Sequence, residues 1–451
     1  MEHWKAVKQI YLCGMFRFVW IGLVLVGTAC ASAGGKVRFT RRLARDIQRS
    51  AVFSKAFTGF ALFDPVKGEM LCAVNANRYF TPASNTKILT LFASLHVLGD
   101  SLPALHFQAT NDSFHVQPTG DPTFLHPFFK NWQKTADFLK KAPGRVLVLH
   151  DPNIKLLPFG PGWSWDDFDD GYSPERSCWP IYGNVRRVFA TAGDSLSIEP
   201  DFWRPFLHRK QETSDGLSAS DPENQIFYAF KGAAKPDFEQ WIPIHGVRSQ
   251  LKVLLEDTIR RPVVLDEQRI PGAPQTLYAC PADTVYRRLM FQSDNFIAEQ
   301  LLLLSAGVKF DTLDAGKIIQ WVQDSFFSHL APRPKWVDGS GLSRYNLNTP
   351  STLVQILLQL WREQPQERLF GLFPAGGVSG TIREWYKSPN GKPFVFAKTG
   401  TMSGVHCLSG YLVAKSGKVL IFSFMHNNFT EGNKPYKAEM QRFLTEIRDH
   451  Y

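Results

Sequence analysis

Alternating and helix-spaced apolar positions divide this chain into two outer parts and a middle. Near the start, TGFALFD and EMLCAV read as two strands joined by the turn-forming Pro65 and Gly68. Near the end, KPFVFAKTGT, HCLSGYLVAK and KVLIFSFMHN read as a three-stranded meander, with Gly404 and Gly417 in its connections. RRLARDIQRSAVF precedes the first pair and KAEMQRFLTEIRDH follows the meander, both with helical patterning. A further helix is predicted behind YFTPASNTK, where Ile88, Leu89, Leu91, Phe92 and Leu95 recur at helical spacing. The expectation is an α+β fold: one antiparallel sheet built from both ends of the chain and flanked by helices.

From about Leu102 to Gly272 the texture changes. Pro, Trp, Phe and Asp dominate, strand-like runs such as RVLVLH and QIFYAF are short, and PFGPGWSWDDFDDGYSPERSCW is loop-like and aromatic. We expect a mostly β insertion over 102–272, between catalytic halves at 34–101 and 273–451. Helical sequence returns in ADTVYRRLMFQ, FIAEQLLLLSA and LDAGKIIQWVQDSFF.

At 451 residues the chain exceeds one average core, and 44% hydrophobic with 20% charged residues is ordinary globular composition. The net charge of +10 would suit an anionic polymer. No basic run interleaved with aromatics accompanies it, so nucleic acid is not an expected partner. Residues 1–33 read as a secretory leader: scattered Lys5, Lys8 and Arg17, a short apolar run, and Ala31 and Ala33 bracketing Ser32 at a cleavage site. Lipidation at Cys30, with membrane anchoring, is the competing reading. Export to the periplasm or cell envelope leaves Cys72, Cys178, Cys280 and Cys407 in an oxidising compartment, an even number that allows one or two disulfides. Neither C-x-x-C nor H-E-x-x-H spacing occurs, so neither metal nor cofactor is expected.

Three short patterns carry chemistry. Ser84 and Lys87 stand one helical turn apart at a helix start, where the lysine side chain reaches the serine hydroxyl. A buried lysine near other cations loses its proton near neutral pH and serves as a general base. Taken singly the pair is cheap: Ser249 and Lys252 repeat the spacing inside an ordinary helix, and a serine N-cap explains most such matches. Ser293-Asp294-Asn295 gives an S-x-N at the mouth of a second helix, although Ser388-Pro389-Asn390 matches as well. Lys398-Thr399-Gly400 lies on the first strand of the final meander, where glycine lets a substrate approach the backbone. The order S-x-x-K, S-x-N, K-T-G, each on the element its chemistry requires, is what singles these residues out.

With these motifs the sequence resembles the class C low-molecular-weight penicillin-binding proteins, the D-alanyl-D-alanine carboxypeptidase/endopeptidases of bacterial cell walls. RYFTPASNTKILT, SDNFIAEQLL, DGSGLSRYNLNTP, FPAGGVSGTI and KTGTMSGVHCLSGY are the segments that carry the resemblance. It implies a penicillin-binding, β-lactamase-like fold and hydrolysis of peptidoglycan stem peptides through an acyl-enzyme that β-lactams block. Ser84 would be the nucleophile, Lys87 its base, and Ser293 and Lys398 a proton relay to the leaving group. Asn295 would hold the substrate amide, and Thr399, Gly400 and Thr401 with Lys398 would bind the terminal carboxylate. GWSWDDF is similar to the family's tryptophan-and-acid segment. It offers Asp167, with Asp166 as neighbour, to the amine of the peptide's diamino acid, or else is an exposed acidic loop. Arg344 would line the same pocket or pair with a structural carboxylate. A β-lactamase shares the motif order but has only a short insertion and a deacylating glutamate motif not evident here. A non-catalytic wall-binding scaffold would have no need of all five motif residues.

Overall fold

The computed structural model describes residues 38–130, 133–191, 195–209, 216–220, 225–229 and 237–451. The expected leader and the lipidation candidate Cys30 lie outside them.

Both ends of the chain build one sheet. Its order is Val395–Met402, Val405–Val413, Val419–Asn427, Phe57–Asp64, Glu69–Val74, every neighbour antiparallel. The strands read as nearly continuous apolar runs because both faces are covered. Phe60 and Leu62, Leu408 and Leu412, Phe422 and Phe424 point to one face. There they meet the helix over 38–49 and the terminal helix Lys434–His450. The intervening Ala61 and Phe63, Cys407 and Tyr411, Ile421 and Met425 join a larger core on the other face. That core also takes in the helices Lys87–Val97, Ala282–Phe291, Asn295–Phe310, Ala315–Ser325 and Pro350–Glu363. Each fully buried Leu, Ile or Phe in these layers contributes about 1.5–3 kcal/mol. The edge strand that carries K-T-G is therefore held from both sides.

The middle of the chain has its own core, gathered around Leu105, Phe114, Val116, Trp179, Trp203, Leu254 and Leu255. Its main sheet is mixed, in the order Val263–Asp266, Val146–His150, Ser113–Pro118, Ser101–Ala109, Gln275–Pro281. The last of these strands lies beyond the expected boundary at 272 and pairs with Ser101–Ala109 next to the exit from the serine helix. The helix Val247–Ile259 contains the decoy pair: Ser249 Oγ donates to Gly246 O at 2.8 Å and Lys252 pairs with Glu256 at 3.0 Å, an ordinary exposed face.

The cysteine expectation is corrected. Cys72, Cys178, Cys280 and Cys407 are all free thiols, each buried. Cys72 packs in the core under the terminal helices, while the other three sit in the larger core, where each behaves as a small apolar side chain.

Candidate active site

Ser84 does not cap a helix. It lies in a single 3-10 turn, Ala83–Thr86, and the α-helix begins only at Lys87 with no side-chain cap on its first turn. Ala83 holds a left-handed φ of 46°, a conformation uncommon outside glycine, and it lifts the serine out of the helical line. The result is a half-buried hydroxyl above a fully buried lysine.

The Lys87 ammonium meets three acceptors: Ser84 Oγ at 2.9 Å, Asn295 Oδ1 at 2.6 Å and the Ser340 carbonyl at 2.6 Å. Burial pulls its pKa down to about 8, against Asp338, Asp294 and Glu299, which raise it. Asn295 opens the helix Asn295–Phe310, whose cap is Asp294: its Oδ1 accepts from Ile297 N at 3.1 Å. Asn295 donates from Nδ2 to the Tyr172 carbonyl at 2.9 Å, so its Oδ1 is the atom left to face Lys87.

Ser293 occupies the left-handed region at φ 58°. Lys398 Nζ donates to Ser293 Oγ at 2.8 Å and to the Thr399 carbonyl at 2.8 Å. Lys398 is wholly buried, and burial together with the nearby Lys87 holds it well below the ordinary lysine range. Two lysines with depressed pKa values thus each touch one serine of the site, an arrangement suited to moving protons at neutral pH.

Strand geometry sets the rest. Val395 C=O and Ala397 N–H face outward, accepting from Gly376 N at 2.8 Å and donating to Pro374 O at 3.0 Å. Alternation then puts the backbone groups of Thr399 and Thr401 on that same open edge. Thr399 Oγ1 lies 2.8 Å from Thr381 Oγ1, and Thr401 Oγ1 lies 2.9 Å from His406 Nδ1. Burial drives His406 down to about 3, so the ring beside Thr401 is neutral. Gly400 passes so close to the serine turn that a Cβ there would overlap the Pro82 carbonyl oxygen and sit 3.2 Å from Ser84 N.

Ser84, Lys87, Ser293, Asn295 and Lys398 are therefore brought together, with Thr399, Gly400 and Thr401 on the adjoining strand. Asp167 lies apart, half-buried in the turn Trp165–Asp167, where Tyr172 Oη donates to its Oδ1 at 2.7 Å. It connects to the site through Tyr172, whose carbonyl holds Asn295. Asp166 and Arg344 are exposed, and Arg344 forms no ion pair among the described residues. Sequence reasoning did not single out Ser340, Asp338, Tyr172, Thr381 or His406. DGSGLSRYNLNTP and FPAGGVSGTI, which carry Asp338, Ser340 and Thr381, were the available signal.

The D-Ala-D-Ala carboxypeptidase 3 (S13) family matches this chain over residues 40–225 and 275–447. The D-alanyl-D-alanine carboxypeptidase DacB of Haemophilus influenzae is 30% identical over 181 residues, which take in 38% of this chain and 37% of that relative. The penicillin-sensitive carboxypeptidase A of Dictyostelium discoideum is 22% identical over 439 residues, covering 81% of this chain and 82% of its own. Among solved structures, penicillin binding protein 4 (dacB) from Haemophilus influenzae superposes with a TM-score of 0.70 at 20% identity, over 90% of this chain and 98% of that one. The same protein complexed with a β-lactam gives a TM-score of 0.64 at 19% identity, over 92% and 99%. At such identities the superpositions establish the penicillin-binding fold; the family match covers most of the sequence. The chain belongs to the S13 D-Ala-D-Ala carboxypeptidase family.

Proposed function

We propose that this protein is a serine DD-peptidase of peptidoglycan, hydrolysing the D-Ala-D-Ala bond of stem peptides, the D-Ala–diamino-acid cross-link, or both. One observation carries the reading: a buried lysine, its pKa lowered to about 8, whose Nζ is shared by Ser84 Oγ and Asn295 Oδ1. A structural lysine would be satisfied by carboxylates. This one is left a hydroxyl and two carbonyl-type oxygens, as a base for that hydroxyl requires.

In the proposed cycle the free amine of Lys87 takes the Ser84 proton as Oγ attacks the carbonyl carbon. A C–O bond forms, and the carbonyl π pair moves onto oxygen, facing the backbone N–H groups of Ser84 and Thr401. The oxyanion then re-forms the carbonyl and the C–N bond breaks. The departing nitrogen takes the proton that Lys87 had accepted, passed on through Ser293 and Lys398, which leaves Lys87 a free amine again. Water hydrolyses the resulting ester, returning the proton to Ser84 and releasing a carboxylate. Lys398 with the Thr399 and Thr401 hydroxyls holds the substrate's terminal carboxylate beside Gly400. Asp167 would face the amine of the diamino acid, and Arg344 would line the same pocket.

Two cores on either face of the terminal sheet and a third in the middle of the chain support a catalytic body formed by both chain ends and an inserted unit between them. Its substrate is a wall polymer, so the reading includes export of the mature chain, and β-lactams are expected covalent inhibitors. The test is intact-protein mass spectrometry after brief exposure to benzylpenicillin. One adduct on the parent and none on Ser84→Ala is expected; no adduct on folded parent would return the protein to the class of wall-binding scaffolds. Fast turnover of a chromogenic β-lactam would instead favour a β-lactamase.

A further inference from the structure

Every acceptor of Lys87 other than Ser84 is held in place by one short stretch of the insertion. At its near end, Trp163 Nε1 donates to Asp338 Oδ2 at 2.9 Å. Asp338 is fully buried and shapes the turn that presents the Ser340 carbonyl: its Oδ1 accepts from Gly341 N at 2.8 Å and its Oδ2 from Ser343 N at 2.7 Å. Ser343 Oγ returns to the Pro161 carbonyl at 2.7 Å. In the middle, the Tyr172 carbonyl takes Asn295 Nδ2 and so fixes which end of that amide faces Lys87. At the far end, Arg176 pairs with the buried Glu299 at 3.5 Å. Glu299 Oε1 accepts from Ser340 N at 2.7 Å, and it is the carbonyl of that same Ser340 that binds Lys87.

Arg176 also ties the stretch to itself, donating to the Leu157 and Phe159 carbonyls at 2.9 Å each and lying 5.8 Å from the Trp163 ring centre. Glu299 is surrounded by Ser340 N–H, Arg176 and the charge of Asp338; burial and Asp338 push its pKa up while Arg176 draws it down. Among the described residues, neither Trp163, Arg176 nor Glu299 has a hydrogen bond to Ser84. Each acts one group removed, on an atom that contacts Lys87 or on the turn bearing it.

We infer that residues 157–177 of the insertion are a structural part of the catalytic centre, with Trp163, Arg176 and Glu299 as positioning residues for Lys87. This rests on the proposed role of Lys87 as base for Ser84. The alternative is that the stretch serves substrate binding only. The two differ in kinetics. A clamp on Lys87 governs the acylation step itself, whereas a binding loop governs only the concentration at which substrate saturates.

The experiment compares the full mature chain with Trp163→Phe and Glu299→Gln. Trp163→Phe keeps the ring against Arg176 and removes the donor to Asp338. Glu299→Gln keeps the shape and removes the charge. Acylation by benzylpenicillin is followed across pH 5.5–9.5 by rapid quench, with thermal denaturation recorded for each protein. The saturating acylation rate is expected to fall about ten- to a hundredfold in both, since small displacements of a catalytic group cost that much. The half-saturating concentration stays within about twofold of the parent's. In Glu299→Gln the acid limb of the rate moves to lower pH, because a carboxylate that raises Lys87 is gone while the Arg176 cation remains. A loss of packing alone lowers the denaturation midpoint without moving that limb. Saturating rates and acid limbs equal to the parent's would overturn the inference, including the case where only half-saturation shifts. A parent that benzylpenicillin fails to label overturns the role of Ser84 instead, and this inference with it.

Discussion

Gly400 and Ser84 belong to elements more than 300 positions apart in the chain, yet a Cβ on Gly400 would stand 3.2 Å from Ser84 N and 3.0 Å from Asn85 N, and would overlap the Pro82 carbonyl. The serine turn and the K-T-G strand are thus in backbone contact, and the gap between them is where a substrate carbonyl would meet both N–H groups. Backbone is the obstacle, so a larger residue is accommodated only by moving the strand away. Gly400→Ala is expected to fold, at a cost of about 1–3 kcal/mol. Its benzylpenicillin acylation should drop by about a hundredfold or more. A denaturation curve paired with the labelling rate checks this; a rate within threefold of the parent's would show that the two elements do not share an oxyanion site.

The acylation rate should depend on pH through Lys87. Only its unprotonated form takes the Ser84 proton, and burial lowers its pKa to about 8. The rate therefore climbs tenfold per pH unit below about 8 and levels off above it. At pH 7 about one molecule in ten carries the free amine, against about one in three thousand for an unshifted lysine. Stopped-flow labelling across this range reads the limb directly. A limb above pH 9.5 would mean that burial does not lower the Lys87 pKa in the working enzyme, and a limb well below pH 7 would point to another group as the base.

Much of this site was legible in the chain because its parts are local. Ser84 and Lys87, Ser293 and Asn295, and Lys398 to Thr401 each lie within a few residues, on elements whose periodicity gives them away. The sheet was readable for the same reason: alternating residues face two buried layers, so Phe60 and Ala61 diverge into separate cores. What local pattern does not carry is contact across the chain. Ser340 acts through its carbonyl and Tyr172 likewise, and a backbone atom leaves no mark on residue type. His406 carries no motif of its own, and only the register of the meander sets it against Thr401. An even number of cysteines says nothing about the distances between them, and these four lie buried as free thiols. Gln275–Pro281 lies after the expected end of the insertion at 272 yet pairs with Ser101–Ala109, a contact between distant segments that no local pattern shows.

Those thiols offer a simple check. Burial pushes Cys72, Cys280 and Cys407 up to about 12 and Cys178 up to about 11. At pH 8 the reactive thiolate is scarce and shielded. Native protein should resist a thiol reagent for hours, while protein in guanidinium titrates these four groups at once. Dithiothreitol should leave the denaturation midpoint unchanged. A fall on reduction would reveal a disulfide in the mature protein.

Selectivity should reside in the Asp167 carboxylate more than in Asp166. Tyr172 fixes Asp167 through one oxygen at 2.7 Å, and the same residue's carbonyl holds Asn295, so the acid is tied to the site at a set distance. Asp166 is exposed and forms no ion pair among the described residues. If Asp167 meets the amine of the diamino acid, Asp167→Asn exchanges a charged hydrogen bond for a neutral one and costs about 1.4 kcal/mol, a tenfold rise in KM for a stem peptide with a free side-chain amine. The same variant should leave KM unchanged for the N-acetylated peptide, and its kcat should stay within about twofold on both, because neither Lys87 nor Ser84 is touched. Asp166→Asn should alter neither peptide. D-alanine release measured on the two peptides with the parent and both variants decides it: equal losses on free and acetylated substrate would make the segment an exposed acidic loop, and a loss confined to Asp166→Asn would move the recognition to its neighbour.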